Sequence, residues 1–374
     1  MLHSMQKTMQ KTLLPTSILA GVVTLSTPAL AASLNSVNTT GQAIVFGVNS
    51  SSITYEVPNT PQNLKDALGG TATAAGGNIE LNNTIDSGWS NTTLSTLTAT
   101  FSDNRSIAFS SLTQGDWFSN GFANTWYTAA RSIYSPEFTT LAATLTNTGA
   151  QQVYQTAYNQ AYTVALNQLG QLAYTTAYNS TPGTVTQKTN AGNVAKNNAL
   201  NSNTVKAQAA AAAATTANAA KNQFLATNTL DASNTTQMVS ALENLKVFQR
   251  LSDPNIAYVR GNSGEFTFGL AGHSTVATGL KLQSSDPLYN IFNGIYASEV
   301  VKYSLDNGSS WNYAYSFAQP IQSGVVGSDG YSHTGTFEFT VGAREVPESS
   351  GVFSLGILGG LLTLGRRWLW QSVQ

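Results

Sequence analysis

Residues 147 to 230 constrain the fold more than any other stretch, because they are long, periodic and nearly free of large apolar side chains. Tyr154, Tyr158 and Tyr162 recur at a spacing of four, followed by Leu166, Leu169 and Ala173. The run from Ala157 to Thr163 is echoed sixteen residues later by Ala173 to Asn179. That spacing predicts a helix, and Asn179-Ser180-Thr181-Pro182-Gly183 stops it. A second helical tract runs from about Asn193 to Ala226 and contains six consecutive alanines, 209 to 214. Side chains this small bury little area, so the segment cannot build a core of its own. It reads as an antiparallel Ala/Asn/Tyr-rich helical hairpin with a tyrosine-and-leucine seam, partly frayed. The alternative is a low-complexity linker. A tyrosine stripe of this kind serves either to pack the seam or to associate with another copy.

The flanks read differently. Ala43 to Val48 is a compact apolar run, and Ile53-Thr54-Tyr55-Glu56-Val57 alternates before Pro58 ends it. Leu94 to Phe101 and Ser106 to Leu112 form a strand pair around Ser102-Asp103-Asn104-Arg105. Phe118, Phe122 and Trp126 recur at helical spacing within a short helix, 117 to 130. Asn234 or Thr235 caps a better helix with Met238, Leu242, Leu245 and Phe248 on its apolar face, and Ser252-Asp253-Pro254 ends it. Strands then return at 256–259, 265–270, 299–305, 311–317 and 336–341, with Asp306-Asn307-Gly308 as the strongest turn signal.

Both ends carry apolar segments unlike the body. Lys7 and Lys11 precede an apolar run from Leu13 to Leu25, and Pro28-Ala29-Leu30-Ala31 ends in an A-x-A pattern. This predicts a signal peptide, 1–31, read by the secretion translocon and cut after Ala31, with Ala29 and Ala31 as the cleavage residues. At the other end, the polar spacer Arg344 to Ser350 leads into an apolar run from Gly351 to Gly365 and then Arg366-Arg367-Trp368. Trp368, Leu369 and Trp370 extend the run towards the ~20 residues a membrane-spanning helix needs, with the arginines kept cytoplasmic.

Val346-Pro347-Glu348, the apolar stretch and Arg366-Arg367 together resemble the PEP-CTERM sorting signals of Gram-negative bacteria, with Ser349 where that family carries a second proline. The resemblance covers Val346 to Trp368. It implies transient anchoring in the inner membrane, recognition by an exosortase-type processing protease, and delivery of the body to the cell envelope or extracellular matrix. Asp253-Pro254-Asn255-Ile256 and Gly269-Leu270-Ala271-Gly272-His273 also resemble an uncharacterised cyanobacterial group that carries the same tails, a likeness that implies no activity.

Composition narrows the chemistry. The chain has no cysteine, so it has no disulfide framework, thiolate metal site or cysteine nucleophile. Between Ala32 and Val346 the net charge is −4, which argues against nucleic acid as a partner. Charged residues make up 9% of the chain, and Asn, Thr, Ser, Gln and Ala take their place, as in secreted matrix proteins. The body has two histidines, His273 and His333, without G-x-S-x-G or H-E-x-x-H, so neither a serine hydrolase nor a zinc site is indicated. The glycine-rich stretch 69–77 lacks a P-loop pattern. Asp306-Asn307-Gly308 and Ser328-Asp329-Gly330 are turn sequences first and calcium ligands second. Trp311, Tyr313, Tyr315 and Phe317 share one face of a strand: buried, they line a sheet core; exposed, they are a candidate carbohydrate platform.

These readings predict a mostly β body, a β-sandwich built from 33–118 and 251–343 and interrupted by the helical hairpin, with an N-terminal signal peptide and a C-terminal hydrophobic helix. The divisions are 1–31, 32–146, 147–230, 231–345 and 346–374. The expected role is that of an exported envelope or matrix protein without catalytic activity, cofactor or metal. Retention of an extracellular polysaccharide is the alternative, and a secreted hydrolase follows it.

Overall fold

The computed structural model describes residues 32–342, except 83, 86–87, 90–93, 263 and 331. In chain order the elements begin with β1 (Leu34–Thr40), β2 (Gln42–Val48), β3 (Ile53–Val57), α1 (Pro61–Leu68) and β4 (Gly77–Asn82). The short ladder β5 (Thr84–Ile85) and β6 (Gly88–Trp89) precedes the hairpin β7 (Thr96–Phe101) and β8 (Ser106–Ser110). Helices follow: α2 (Gln114–Phe118), α3 (Phe122–Ile133), α4 (Ser135–Ser180), α5 (Val185–Asn201), α6 (Asn203–Asn228), α7 (Thr235–Asn244) and α8 (Val247–Arg250). The chain then forms β9 (Asn255–Asn262), β10 (Glu265–Gly272), α9 (Val276–Gly279), α10 (Tyr289–Asn293), β11 (Val301–Ser304) and β12 (Asn312–Ala314). It closes with β13 (Ile321–Gln322), β14 (Val326–Gly327) and β15 (Gly335–Gly342).

Two sheets carry most of the strand content. One has eight strands in the order β13-β15-β10-β9-β4-β2-β3-β14, the other five in the order β1-β7-β8-β11-β12. Alternation along β7 sends Leu97, Ala99 and Phe101 inward, where they meet the buried side chains of β9 and β10. Across this interface Phe109 lies 4.9 Å from Phe268 and Phe101 lies 5.3 Å from Phe266, both ring to ring. Helix α1 closes one end of the core with Leu64, Ala67 and Leu68. Its start is encoded locally: the Thr60 hydroxyl accepts the Asn63 N–H, and Pro61 supplies a helical φ without needing a donor. At Gly77, where β4 begins, a Cβ would overlap the Phe46 carbonyl oxygen, so only glycine lets β2 and β4 approach.

A second core is helical. Trp117 of α2, Phe122 and Trp126 of α3, Phe138 and Leu141 in the first turns of α4, Met238 and Leu242 of α7 and Phe248 of α8 pack together. Trp117 lies 4.7 Å from Phe248, and its indole N–H donates to Ser252 Oγ at 2.7 Å, so the ring's one polar atom is satisfied inside the core. The two cores are joined by an ion pair from Lys302 on β11 to Asp116 on α2, 2.9 Å, which also holds the capping box of Thr113.

The described residues are therefore not mostly β: about 46% of them are helical and 25% strand. Two things make the difference. Helix α4 starts at Ser135, ahead of the expected boundary at 147, because Pro136 and an apolar face of Phe138, Leu141 and Ala142 begin it. The segments around the hairpin also hold more helix than expected: α1 lies where no helix is expected, and the expected helix 117–130 is two, broken at Gly121, whose φ is +70°. The expected C-terminal hydrophobic helix falls outside the described residues. Among the described residues no helix is long and apolar enough to cross a membrane.

Candidate functional site

Past its first turns, α4 leaves both cores. No residue from Gly149 to Asn228 belongs to either of them. This part of α4, with α5 and α6 returning against it, forms an arm. At 1.5 Å per residue the 46 residues of α4 span about 70 Å, of which roughly the last 45–50 Å belong to the arm. The root is fastened where the Leu230 N–H donates to Thr146 Oγ1 at 3.0 Å and Tyr127 donates its hydroxyl to the Ala232 carbonyl at 2.6 Å.

The arm packs by small residues. Ala209, Ala213 and Ala217 of α6 are fully buried, four apart. Glycines receive the larger side chains of the facing helix: a Cβ at Gly149 would lie 2.7 Å from the Phe224 ring, at Gly170 2.9 Å from Leu200 Cδ2, and at Gly192 2.7 Å from the Tyr174 ring. From Val153 to Tyr178 covered pairs alternate strictly with exposed pairs, a repeat of four. Four residues rotate a helix about 40° beyond a full turn, so this seam stays covered only if the helices wind around each other in the right-handed sense. The return limb breaks at Ser202, an extended residue whose hydroxyl accepts the Val205 N–H at the start of α6.

The second residue of each covered pair sets a ladder on one edge. Tyr154 stacks on Tyr158 and Tyr158 on Tyr162, both at 6.1 Å with interplanar angles of 19° and 10°; Tyr174 stacks on Tyr178 at 5.9 Å and 17°. Lysines lie against the same edge: Lys188 Nζ is 6.0 Å from the Tyr178 ring centre, and the Lys196 stem would meet a Cβ on Gly170 at 3.6 Å. Between Glu137 and Asp231 the sequence contains no acidic residue; its charges are Lys188, Lys196, Lys206 and Lys221. On the exposed faces the threonines return their hydroxyls to carbonyls four residues back, as Thr163 does to Asn159 at 3.0 Å.

The aromatic strand face resolves differently. Tyr313 stacks on Phe122 at 4.2 Å and 15°, Tyr315 meets the Phe122 edge at 5.5 Å, and Phe317 packs against Trp126 at 5.1 Å. Helix α3 thus covers three of the four rings. Trp311 stays 36% exposed, with Lys302 Nζ 5.9 Å from its ring centre, so no open four-ring platform forms.

A carboxylate cluster, which the sequence did not announce, sits where the sheet meets the helical core. Pairing of β4 with β9 sets Glu80 opposite Asn255. Glu299 accepts the Asn255 backbone N–H at 2.7 Å and is itself buried. Burial, then the charges of Asp253 and Glu56, push the Glu80 carboxyl up to about 7 against the pull of Lys281. Burial likewise raises Glu299 well above the carboxylate range, opposed by the Asn255 backbone hydrogen bond and reinforced by Glu80 and Asp253. The adjoining cavity, lined by Glu299, His273, Arg250 and Thr275, measures about 20 Å³. That volume admits one water and no sugar ring. His333 is buried elsewhere, its Nδ1 2.8 Å from Thr54 Oγ1, and burial pushes its imidazole down to about 4.

Both candidate calcium turns spend their oxygens internally: Asp306 accepts from Ser304 and Ser310, and Asp329 from Ser332. Among the described residues no group of three His, Asp or Glu is placed to hold a metal ion. The sorting residues Val346, Pro347, Glu348, Arg366 and Arg367, and the cleavage residues Ala29 and Ala31, lie outside the described residues. Compared with protein-family models, curated proteins and solved structures, the chain matches none.

Proposed function

We propose that this chain is an exported protein of the cell envelope or extracellular matrix with a structural, non-enzymatic role, in which a folded base displays a helical arm. The arm carries the reading. A segment of some eighty residues that joins neither core contributes little to the stability of the base, and its mostly polar surface, whose few charges are all lysines, suits display. The ends of the sequence supply the address: export through the translocon, transient anchoring in the inner membrane by the PEP-CTERM-like tail, and release by an exosortase-type protease. Among the described residues, the buried Glu299 borders a cavity of about 20 Å³, room for one water and too small for a sugar substrate.

The test replaces residues 149–228 of the full chain by a short Gly/Ser linker. The ends to be joined already lie side by side at the Leu230–Thr146 hydrogen bond, and closing a shorter loop costs little. The shortened protein is expected to keep the cooperative unfolding of its base and to reach the cell surface, yet to be shed into the medium. Full retention at the surface would remove the arm from the function. Intact Met1 peptides as the main cellular species would overturn the export reading.

A further inference from the structure

We propose that the tyrosine–lysine edge of the arm is a binding surface for an acidic polysaccharide, an inference that rests on the arm being the displayed element. Three features of the arm point to this partner. The first is charge: four lysines and no carboxylate lie between Glu137 and Asp231, in a chain whose body is net acidic, so the arm attracts a polyanion that the base repels. The lysines are spread along the return limb from 188 to 221, about 50 Å of helix, a layout that meets a linear polymer and not a compact ion.

The second feature is the exposed face of α4. Asn159, Gln160, Asn167, Gln168, Gln171 and Thr175 are exposed, and amides and hydroxyls of this kind give and accept hydrogen bonds with sugar hydroxyls. The third is the use of the rings. Each tyrosine in the ladder is stacked against a neighbour, and Tyr158 has a ring on both sides, which takes up ring face that single-stranded nucleic acid would need for base stacking. A lipid surface instead takes a helix with large apolar side chains gathered on one face, whereas the arm's exposed ones, Val164 and Leu172 on α4 and Val185 and Val194 on α5, stand singly among polar residues, and Leu166, Leu200 and Phe224 are half-buried.

The test uses purified full chain and polygalacturonate in co-sedimentation at rising salt. Binding that weakens as salt rises is expected. The combined variant Lys188→Gln, Lys196→Gln, Lys206→Gln and Lys221→Gln should bind about tenfold more weakly or worse, with unchanged helicity by circular dichroism. The matching Lys→Arg set should bind as the parent does. Absence of binding by the parent, or equal binding by the Gln set, overturns the proposal. So does binding to phosphatidylglycerol vesicles or single-stranded DNA without binding to polygalacturonate. Because the measurement uses purified protein, a chain that binds but is not found at the surface would sink only the reading of its location.

Discussion

Trp126 in the base touches Trp117, Phe248 and Phe317, three rings within 6.3 Å, whereas the equally buried Ala213 in the arm faces a helix of alanines, tyrosines and glycines. In the base, a few large side chains from distant parts of the sequence converge, so each is worth much and few can be changed. In the arm, many small contacts repeat along one axis, so each is worth little and the structure is set by their spacing. The difference shows that the same chain uses volume where it needs a unique fold and periodicity where it needs length.

The largest effect that should separate the two regions is Trp126→Ala. It should cost the base about 3–5 kcal/mol, read as a drop in the denaturation midpoint by tryptophan fluorescence, which reports the base because the arm contains no tryptophan. An unshifted midpoint would break the comparison at its strongest point.

The next effect concerns pH and belongs to the base. The Glu80 carboxyl, raised from 4.5 to about 7, holds its proton more tightly in the folded than in the unfolded chain. Its stabilisation is therefore complete below pH 4.5 and is lost as pH rises towards 7, a change of up to about 3 kcal/mol. His333, lowered to about 4, acts with the opposite sign: its contribution is present above about 6.5 and is lost as pH falls through 4. Glu80→Gln should remove the Glu80 part of the first slope and leave the Glu299 part and the His333 slope, so the variant gains stability relative to the parent between pH 4.5 and 7. Parallel stability curves for parent and variant across that range would refute the assignment.

The smallest effect is Gly192→Ala in the arm. Alanine favours helix by about 1 kcal/mol, but its methyl group would sit 2.7 Å from the Tyr174 ring and displace it from Tyr178. The two should nearly cancel, leaving the arm's helicity within about 1 kcal/mol of the parent while the near-ultraviolet tyrosine signal changes. Movement of the tryptophan-reported midpoint would show that arm and base are coupled.

Local chemistry was legible in the sequence. Asn234 does cap α7, accepting the Gln237 N–H at 3.1 Å, and α4 does end at Ser180 beside Thr181-Pro182-Gly183. What was missed has two physical origins. The change in composition near 147 does not mark the start of α4, because helices begin at caps and apolar faces, here Pro136 and Phe138. Thr60-Pro61 marked α1 in the same way. The acid cluster had no local signal at all: Glu80, Asn255 and Glu299 are far apart in sequence and meet only through strand pairing and the turn of chain that enters β11. The absence of acids between Glu137 and Asp231, by contrast, stands in the sequence, although the net charge of the whole body hides it.

Because the arm is fastened to the base at its root and the covered pairs of α4 repeat every four residues, reach is a separable quantity in this molecule. Adding one Ala-Tyr-x-x unit to α4 and its counterpart to the return limb lengthens the reach by about 6 Å without asking anything of the base. A ruler of this construction changes by whole increments: an insertion of one, two or three residues turns every later tyrosine off its edge, while an insertion of four only moves the tip outward.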